Sequence, residues 1–184
     1  MAFYDGKDMG RSFRTVRDNT IKIAEEIPEE QYGFRPATGT RSVAETLAHL
    51  AVSTRFPQRM HSSGMTAVDF GFFSAAMQRQ IQEETELTTK AQIVDALRSG
   101  GTEFADWLES LSDEAIAERV QFPEPMVPRS KSRFEMLLAS KEHEMHHRAQ
   151  LMTIERMIGI VPHLTRDFEA RRAQFLQKAG SQTA

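Results

Sequence analysis

The sequence predicts an all-α protein, namely a four-helix bundle with a long connection and short accessory helices. Ala, Leu, Glu, Gln, Arg and Met, which favour helices, fill long stretches of the chain, and only two loops are clearly marked by proline and glycine. Apolar residues recur at helical spacing in several long segments. Because 184 residues can bury one sizeable core, we expect a single domain over residues 1–184, with its core at about residues 7–162.

The first helix is predicted from about Lys7 to Ile27. Pro28 ends it, because a proline nitrogen has no hydrogen to donate. Its apolar residues are spaced by three, four and seven: Phe13, Val16, Ile23 and Ile27. This spacing places them on one face, which we expect to lie against the core.

The second helix is predicted to begin after Ser42 and to run to about Met60. Ser42 and Glu45 have the spacing of a capping box, in which each side chain accepts a hydrogen bond from the other residue's backbone N–H. Pro57 is expected to kink the last turn of this helix.

A loop with Gly64 and Gly71 precedes a short helix predicted near Phe73–Glu84. A second capping box, Thr89–Gln92, opens a third long helix. Its apolar positions are Ile93, Leu97, Phe104, Leu108 and Leu111. The pair Gly100–Gly101 costs about 1 kcal/mol per glycine relative to alanine, so we expect a kink or a close helix contact there.

Residues 121–133, QFPEPMVPRSKSR, contain three prolines and are predicted to form a loop that could cover a site. A third capping box, Ser132–Glu135, opens the fourth long helix. That helix is predicted to end at Gly159, before Pro162. A last helix is predicted from about Leu164 to Lys178.

Composition and charge exclude several classes of function. The net charge is −3 and Lys and Arg are spread along the chain, so no basic stripe is available to neutralise nucleic-acid phosphates. The N-terminus lacks an apolar signal core, and no apolar run is long enough to cross a bilayer, so we expect a cytoplasmic protein. The chain has no cysteine, and any sulfur chemistry must therefore come from a bound small molecule.

The sequence HEMHHRAQL, residues 143–151, places His143 and His147 one turn apart on the apolar face of the fourth long helix. Side chains four residues apart have Cβ atoms about 5–6 Å apart, so both rings can reach one metal ion. The alternative is two buried histidines that are each hydrogen-bonded to a hydroxyl or a carbonyl. We favour the metal site, because histidine is the commonest metal ligand.

The other histidines are assigned by position. His49, on the second helix, borders the core and is the natural third ligand. His146 is expected at the margin of the apolar face, whereas His61 and His163 are predicted to be solvated surface residues.

The HEMHH motif also fits two other kinds of metal site. It matches the H-E-x-x-H pattern of zinc peptidases, but the sequence predicts no strand edge along which a peptide could align. Gln150 and Thr153 stand where the longer metzincin pattern requires Gly and His. Di-iron bundles need a second Glu-x-x-His unit, which the sequence lacks.

A mononuclear site with three neutral imidazoles remains, formed by His49, His143 and His147. Such a site leaves one position open, as catalytic zinc sites do. Nitrogen ligands suit zinc, nickel or iron, and we expect a divalent ion with zinc first.

Two stretches resemble the DinB-like (DinB/YfiT) family of four-helix metalloenzymes. They are IPEEQYGFRPATGTRSVAETLAHL and, far downstream, HEMHHRAQLMTIERMIGIVP, and the resemblance spans roughly Ser12 to Pro162. It implies that His49, His143 and His147 occupy the metal-binding positions of the family. It also implies chemistry with low-molecular-weight thiols, which some relatives use as mycothiol-dependent isomerases and bacillithiol transferases.

We expect a metal-dependent enzyme, of the hydrolase or thiol transferase or isomerase kind, that acts on small electrophilic molecules. Gln150, Ser53 and His146 are candidates to orient the ligands. The expected partner is a small-molecule substrate or thiol, and we expect binding to neither nucleic acid nor membrane. A homodimer is the assembly that we consider. The alternative is a non-catalytic metal-binding or stress-related helical bundle.

Overall fold

Helices form most of the structure, a computed structural model that describes residues 4–181. In chain order the elements are α1 (Gly6–Glu26), a 3-10 turn (Glu29–Gln31), α2 (Val43–Ser53), α3 (Arg55–Ser62), α4 (Phe70–Glu86), α5 (Lys90–Glu109), α6 (Asp113–Ala117), β1 (Arg119–Gln121), β2 (Ser130–Ser132), α7 (Arg133–Met157) and α8 (His163–Ser181). The all-α prediction is confirmed. Helices α1, α5, α2 and α7 form the bundle, in which α1 and α2 each pack against both α5 and α7.

The core lies between these four helices. Its fully buried side chains include Ile23, Ile27, Leu47, Leu50, Ile93, Leu97, Leu151 and Ile154. Burying each such side chain stabilises the fold by about 1.5–3 kcal/mol, so the apolar stripes decide which faces of the helices meet. Outside the bundle, α4 packs on α2 and α3, and α8 packs on α1.

Capping side chains fix where the main helices begin. The three predicted capping boxes are confirmed: Ser42–Glu45 before α2, Thr89–Gln92 before α5 and Ser132–Glu135 before α7. A fourth box, Asp5–Asp8, opens α1. It was not predicted, because two aspartates replace the hydroxyl and the longer acid of the usual pattern.

The prediction of one helix from Ser42 to Met60 is wrong. Helix α2 ends at Ser53 and α3 begins at Arg55. Pro57 has no N–H for the carbonyl four residues earlier, which belongs to Ser53, so the first helix ends there. The backbone N–H of Gln58 then donates to the carbonyl of Thr54 at 3.2 Å and continues the new helix.

The prediction that residues 121–133 form only a loop is also wrong. Strands β1 and β2 pair antiparallel, with Val120 opposite Lys131. Val120 is buried against Met60 and Val68. Three-residue strands are too short to show an alternating pattern in the sequence, and the prolines lie in the connection between them.

Other boundaries differ by a few residues. Helix α4 covers Phe70–Glu86 and α8 covers His163–Ser181, so both are longer than predicted. The close contact expected at Gly100–Gly101 is confirmed, because a Cβ atom on Gly101 would lie 2.5 Å from Cγ of Arg17. Within residues 4–181 none of the helices has both the length and the apolarity that a bilayer-spanning segment needs.

Candidate metal centre

The three histidines predicted as ligands lie together between α2 and α7. One ring nitrogen from each of His49, His143 and His147 lies within 4.8 Å of the other two. Nε2 of His49 is 3.0 Å from Nε2 of His143. Ring centroids are 4.9 Å apart for His49 and His143, and 5.1 Å apart for His49 and His147. The tertiary structure thus brings a residue of α2 to a pair 94 positions away.

The packing of α2 against α7 explains this convergence. His143 and His147 are one turn apart on α7, and their ring centroids are 4.7 Å apart. Leu50 on α2 and Leu151 on α7 are buried in the same core cluster. His49 therefore lies one residue from a side chain that the core holds in place, His147 lies one turn from another, and His143 lies one turn further along α7.

A carboxylate on α4 orients the first ligand. Nδ1 of His49 donates to Oε1 of Glu84 at 2.7 Å, and Nε2 of Gln80 donates to the same oxygen at 3.0 Å. With its proton on Nδ1, His49 presents the lone pair of Nε2 to the other two rings. A carboxylate behind a histidine is the usual arrangement behind a metal ligand.

Ion pairs hold α4 where Glu84 can reach His49. The neighbouring Glu83 accepts from Nη1 of Arg55 at 3.1 Å and from Nη2 of Arg59 at 2.6 Å, and both arginines belong to α3. Nε of Arg79, one turn earlier on α4, lies 3.3 Å from the same carboxylate. Adjacent acids thus have separate roles, since Glu83 anchors the helix and Glu84 orients a ring.

An amide orients the ring of His147. Its Nδ1 donates to Oε1 of Gln150 at 2.8 Å, and Nε2 of Gln150 donates to Nε2 of His146 at 3.1 Å. His147 therefore also presents Nε2 to the centre. Of the three candidates to orient the ligands, Gln150 and His146 make contacts that fit that role, whereas the hydroxyl of Ser53 donates to the carbonyl of Leu50.

The rings of His143 and His147 are neutral near pH 7. Burial first, and then the neighbouring histidines, His147 before the others, lower the pKa of His143 to about 4. Burial also lowers the pKa of His147, although the bond to Gln150 opposes the shift. Neutral imidazoles are the form that binds metal.

The donor set fits one divalent ion. Two nitrogen ligands of a tetrahedral zinc ion, each at about 2.0–2.1 Å, are about 3.3 Å apart, and the observed Nε2–Nε2 distance is 3.0 Å. Within residues 4–181 no other group of three or more His, Asp or Glu residues brings its ligand atoms this close together. Nitrogen donors suit zinc, nickel and iron alike.

Glu144, the acid of the HEMHH motif, lies elsewhere. It is 1% exposed and pairs with Arg17, on a different face of α7 from the histidines. A general base must reach a water or a substrate, whereas both oxygens of the buried Glu144 accept hydrogen bonds from Arg17. The position of this carboxylate agrees with the sequence-based ranking of a peptidase below a three-histidine site.

A cavity of about 410 Å³ opens beside His147. Its lining residues come from the segment before α2, from α2 and from α7: Pro36, Thr40, Arg41, Thr46, His147, Gln150, Thr153 and Ile154. The volume is that of a small-molecule site. The loop predicted to cover a site, residues 121–133, contributes none of these residues.

Two histidines predicted at the surface are buried, and that prediction is wrong. His61 is 7% exposed and accepts from Nη1 of Arg133 at 2.8 Å, while burial and the charge of Arg133 lower its pKa to about 4. His163 is 1% exposed and donates through Nε2 to Oδ1 of Asn19 at 3.0 Å. Both stand at helix ends, but each contacts a residue distant in sequence, namely Arg133 of α7 for His61 and Asn19 of α1 for His163.

Sequence reasoning missed Glu84 and Arg41. Glu84 is 35 residues from His49, and no local motif links them. Arg41 is next to the capping residue Ser42, and the sequence shows nothing of the cavity that it lines. The sequence offered only a weak indication of Glu84, namely an acidic residue on a predicted helix that follows the helix of His49.

Comparison with known proteins places the chain among DinB proteins. The model of the DinB superfamily matches residues 12–151. The uncharacterized protein YjoA of Bacillus subtilis is 24% identical over 147 residues, which cover 80% of this chain and 86% of YjoA. The crystal structure of YjoA, described as a DinB-like protein, superposes with a TM-score of 0.62 over 82% of this chain and 91% of that one, at 20% identity.

YfiT of Bacillus subtilis, described as a probable metal-dependent hydrolase with an unusual four-helix bundle topology, gives a TM-score of 0.64 at 15% identity. The match covers 87% of this chain and 91% of YfiT. At these identities the structural likeness shows the fold alone. It agrees with the four-helix bundle that the sequence predicts.

Proposed function

Because the chain belongs to the DinB superfamily, we propose that it is a metal-dependent enzyme in which His49, His143 and His147 together hold one divalent ion. The observation that carries the proposal is the convergence of three ring nitrogens. Two of the rings donate their Nδ1 proton away from the centre, to Glu84 and Gln150, which leaves Nε2 free to bind. The description of YfiT supports the dependence on a metal.

The ion, the cavity and Gln150 have separate roles in the proposed reaction. A divalent ion bound there supplies Lewis acidity and a positive charge that neutral imidazoles do not cancel, which favours the deprotonated form of a nearby thiol or water. The cavity beside His147 holds the small molecule, and Gln150, which lines it, keeps the ring of His147 in place. Positioning of this kind brings the two reactants together.

The reaction we propose is transfer of a low-molecular-weight thiol to a small electrophile. A new carbon–sulfur bond forms, the bond to the leaving group breaks, and the thiol proton ends on the leaving group or in solvent. Because the chain has no cysteine and no carboxylate lines the cavity within residues 4–181, the nucleophile has to be brought in by a second molecule. Hydrolysis, with water in place of the thiol, is the second candidate, and the description of YfiT favours it.

Metal analysis of the purified protein tests the centre. We expect about one divalent ion per chain, zinc before nickel or iron, and loss of the ion in the double variant H143A/H147A. The comparison variant is His146→Ala, which removes an adjacent imidazole that is not a proposed ligand but contacts Gln150, and it should lower the affinity for the ion without abolishing binding. Retention of the ion by the double variant would refute the ligand set.

Kinetics with the metal-loaded protein test the reaction. A panel of small thiols and of small esters and alkylating electrophiles separates the two candidates, because only the transfer depends on thiol concentration. No metal-dependent acceleration with any pair would favour the non-catalytic metal-binding bundle. In that case chelation should lower the melting temperature strongly, as it does when an ion is structural.

A further inference from the structure

The cavity beside the histidines has one charged group of its own. Arg41 lines it together with His147, and the cavity lining within residues 4–181 contains no Asp or Glu. Arg41 is exposed, donates no hydrogen bond and forms no ion pair within the described chain. A solvent-accessible guanidinium without a protein partner is free to bind an anion in the cavity.

The nearby Arg35, in contrast, uses its guanidinium to bond other residues of the protein. Its Nη1 donates to Oε2 of Glu45 at 2.7 Å and to the carbonyl of Thr40 at 2.6 Å, and its Nη2 pairs with Oε1 of Glu45. Glu45 also accepts from the backbone N–H of Ser42 in the capping box. The nearby carboxylate is thus hydrogen-bonded to Arg35 and Ser42, and the charge of Arg41 is the last of the causes that lower its pKa, so the hydrogen-bond donors of Arg41 stay free.

The hydroxyl groups of the lining are also used up as donors. The hydroxyls of Thr46 and Thr153 donate to backbone carbonyls of their own helices at 2.8 and 3.1 Å. The hydroxyl of Thr40 donates to the carbonyl of Ala37 at 2.7 Å. The amide of Gln150 bonds two histidines. The guanidinium therefore offers the strong donors that remain, and the threonine methyl groups, Pro36 and Ile154 supply an apolar wall.

We propose that Arg41 binds a carboxylate of the small molecule that occupies this cavity, so that the substrate class is a monoanionic carboxylate whose reactive group lies at the histidines. This inference rests on the proposed function for the reactive end only. A planar guanidinium matches the two oxygens of a carboxylate. One positive charge balances one negative charge, whereas a phosphate ester carries about 1.5–2 charges near pH 7 and would leave part of that charge unpaired.

Calorimetric titration with phenylacetate and with its neutral isostere phenylacetamide tests the carboxylate site. We expect the acid to bind at least about tenfold more tightly than the amide, the effect of one charge-assisted hydrogen-bonded contact. Arg41→Gln should bring this ratio to about one. The matched control Arg171→Gln, on α8, removes the same charge outside the cavity and should keep the ratio.

Two further titrations exclude other reasons why the acid could bind more tightly than the amide. Arg41→Lys keeps the charge and should keep a larger ratio than R41Q, and equal ratios in the two variants would overturn the proposal. Phenyl phosphate should bind less tightly than phenylacetate, and the opposite order would overturn the carboxylate class.

The same titrations with metal-free protein and with His143→Ala separate this proposal from that of the metal centre. A preference that persists without metal and is lost in R41Q supports the carboxylate site even if the chain binds no ion. A preference that disappears with the ion but survives in R41Q would place the carboxylate at the histidines and overturn the role of Arg41.

Discussion

Arg17 on α1 forms a bidentate ion pair with Glu144 on α7 inside the bundle. Nε lies 2.8 Å from Oε1 and Nη2 lies 2.8 Å from Oε2. The same guanidinium donates to the carbonyl of Leu97 on α5 and to that of Leu50 on α2, each at 3.0 Å. One side chain therefore links all four helices of the bundle. The acid next to His143 serves the fold, and the histidines on either side of it form the site.

Removing the charge of Glu144 should destabilise the fold and spare the candidate centre. Glu144→Gln leaves the guanidinium of Arg17 buried without a counter-ion, and we expect a loss of about 3–5 kcal/mol in the free energy of unfolding, measured by urea denaturation. Glu142→Gln, at an exposed position on the same helix, should change it by less than about 0.5 kcal/mol. Full stability of E144Q combined with a loss of activity would restore Glu144 as a catalytic base.

Gly101 provides the space that Arg17 occupies. A Cβ atom there would lie 2.5 Å from Cγ and 3.1 Å from Cδ of Arg17, a side chain anchored at its far end. Alanine is favoured over glycine in a helix by about 1 kcal/mol, yet we expect Gly101→Ala to lower the free energy of unfolding by about 1–3 kcal/mol, because the crowded arginine must move. The measurement is urea denaturation beside Gly33→Ala, whose Cβ would meet no atom within 4 Å. A stabilised G101A would contradict the role given to this glycine.

Glu84 should set the affinity of the centre for its ion. Glu84→Ala removes the acceptor that holds the Nδ1 proton of His49, and we expect the affinity for zinc to fall about 10–100-fold. Competition with a chromophoric chelator measures this affinity. Glu86→Ala, at an exposed position on the same helix, is the control and should leave it unchanged. Equal affinities for the two variants would mean that the carboxylate does not act through His49.

Glu155 should make the stability depend on pH. It is fully buried, and neither carboxylate oxygen has a hydrogen-bond partner within residues 4–181. Burial first, and then the charge of Glu26, raise the pKa of this acid from 4.5 to about 7. Between these values the unfolded chain loses the proton while the folded chain keeps it. The contribution of Glu155 to the free energy of unfolding should therefore fall as the pH rises from about 4.5 to about 7 and stay low above it. His61 and His143, whose pKa values are lowered to about 4, contribute in the opposite direction, so the effect of Glu155 is the difference between the E155Q variant and the unmodified protein.

Glu155→Gln should remove this contribution, so that the variant gains stability relative to the unmodified protein as the pH rises from 5 to 8, by at most about 3 kcal/mol. Urea denaturation of both proteins at pH 5, 6, 7 and 8 measures this difference. Glu169→Gln, at an exposed position on α8, serves as the control and should follow the unmodified protein. A difference between E155Q and the unmodified protein that stayed constant over this range would contradict the assignment to Glu155.

The local features of this protein follow from the sequence by itself. The capping boxes of α2, α5 and α7 and the helical spacing of His143 and His147 each depend on residues within one turn. A capping side chain acts three residues away, and helical geometry alone sets the distance between rings four residues apart. The sequence therefore determines the helices and two of the three candidate ligands as a pair, and His49 follows from its helical face and from the family resemblance.

Only the tertiary structure decided which groups stand opposite one another. Arg17 meets Glu144 across 127 positions, Glu84 meets His49 across 35, and Arg41 lines a cavity with His147. Helical phase shows which face a side chain occupies, but not which other helix covers that face or where along it the contact falls. For the same reason His61 and His163 are buried by elements distant in sequence, and their burial depends on how the whole chain packs.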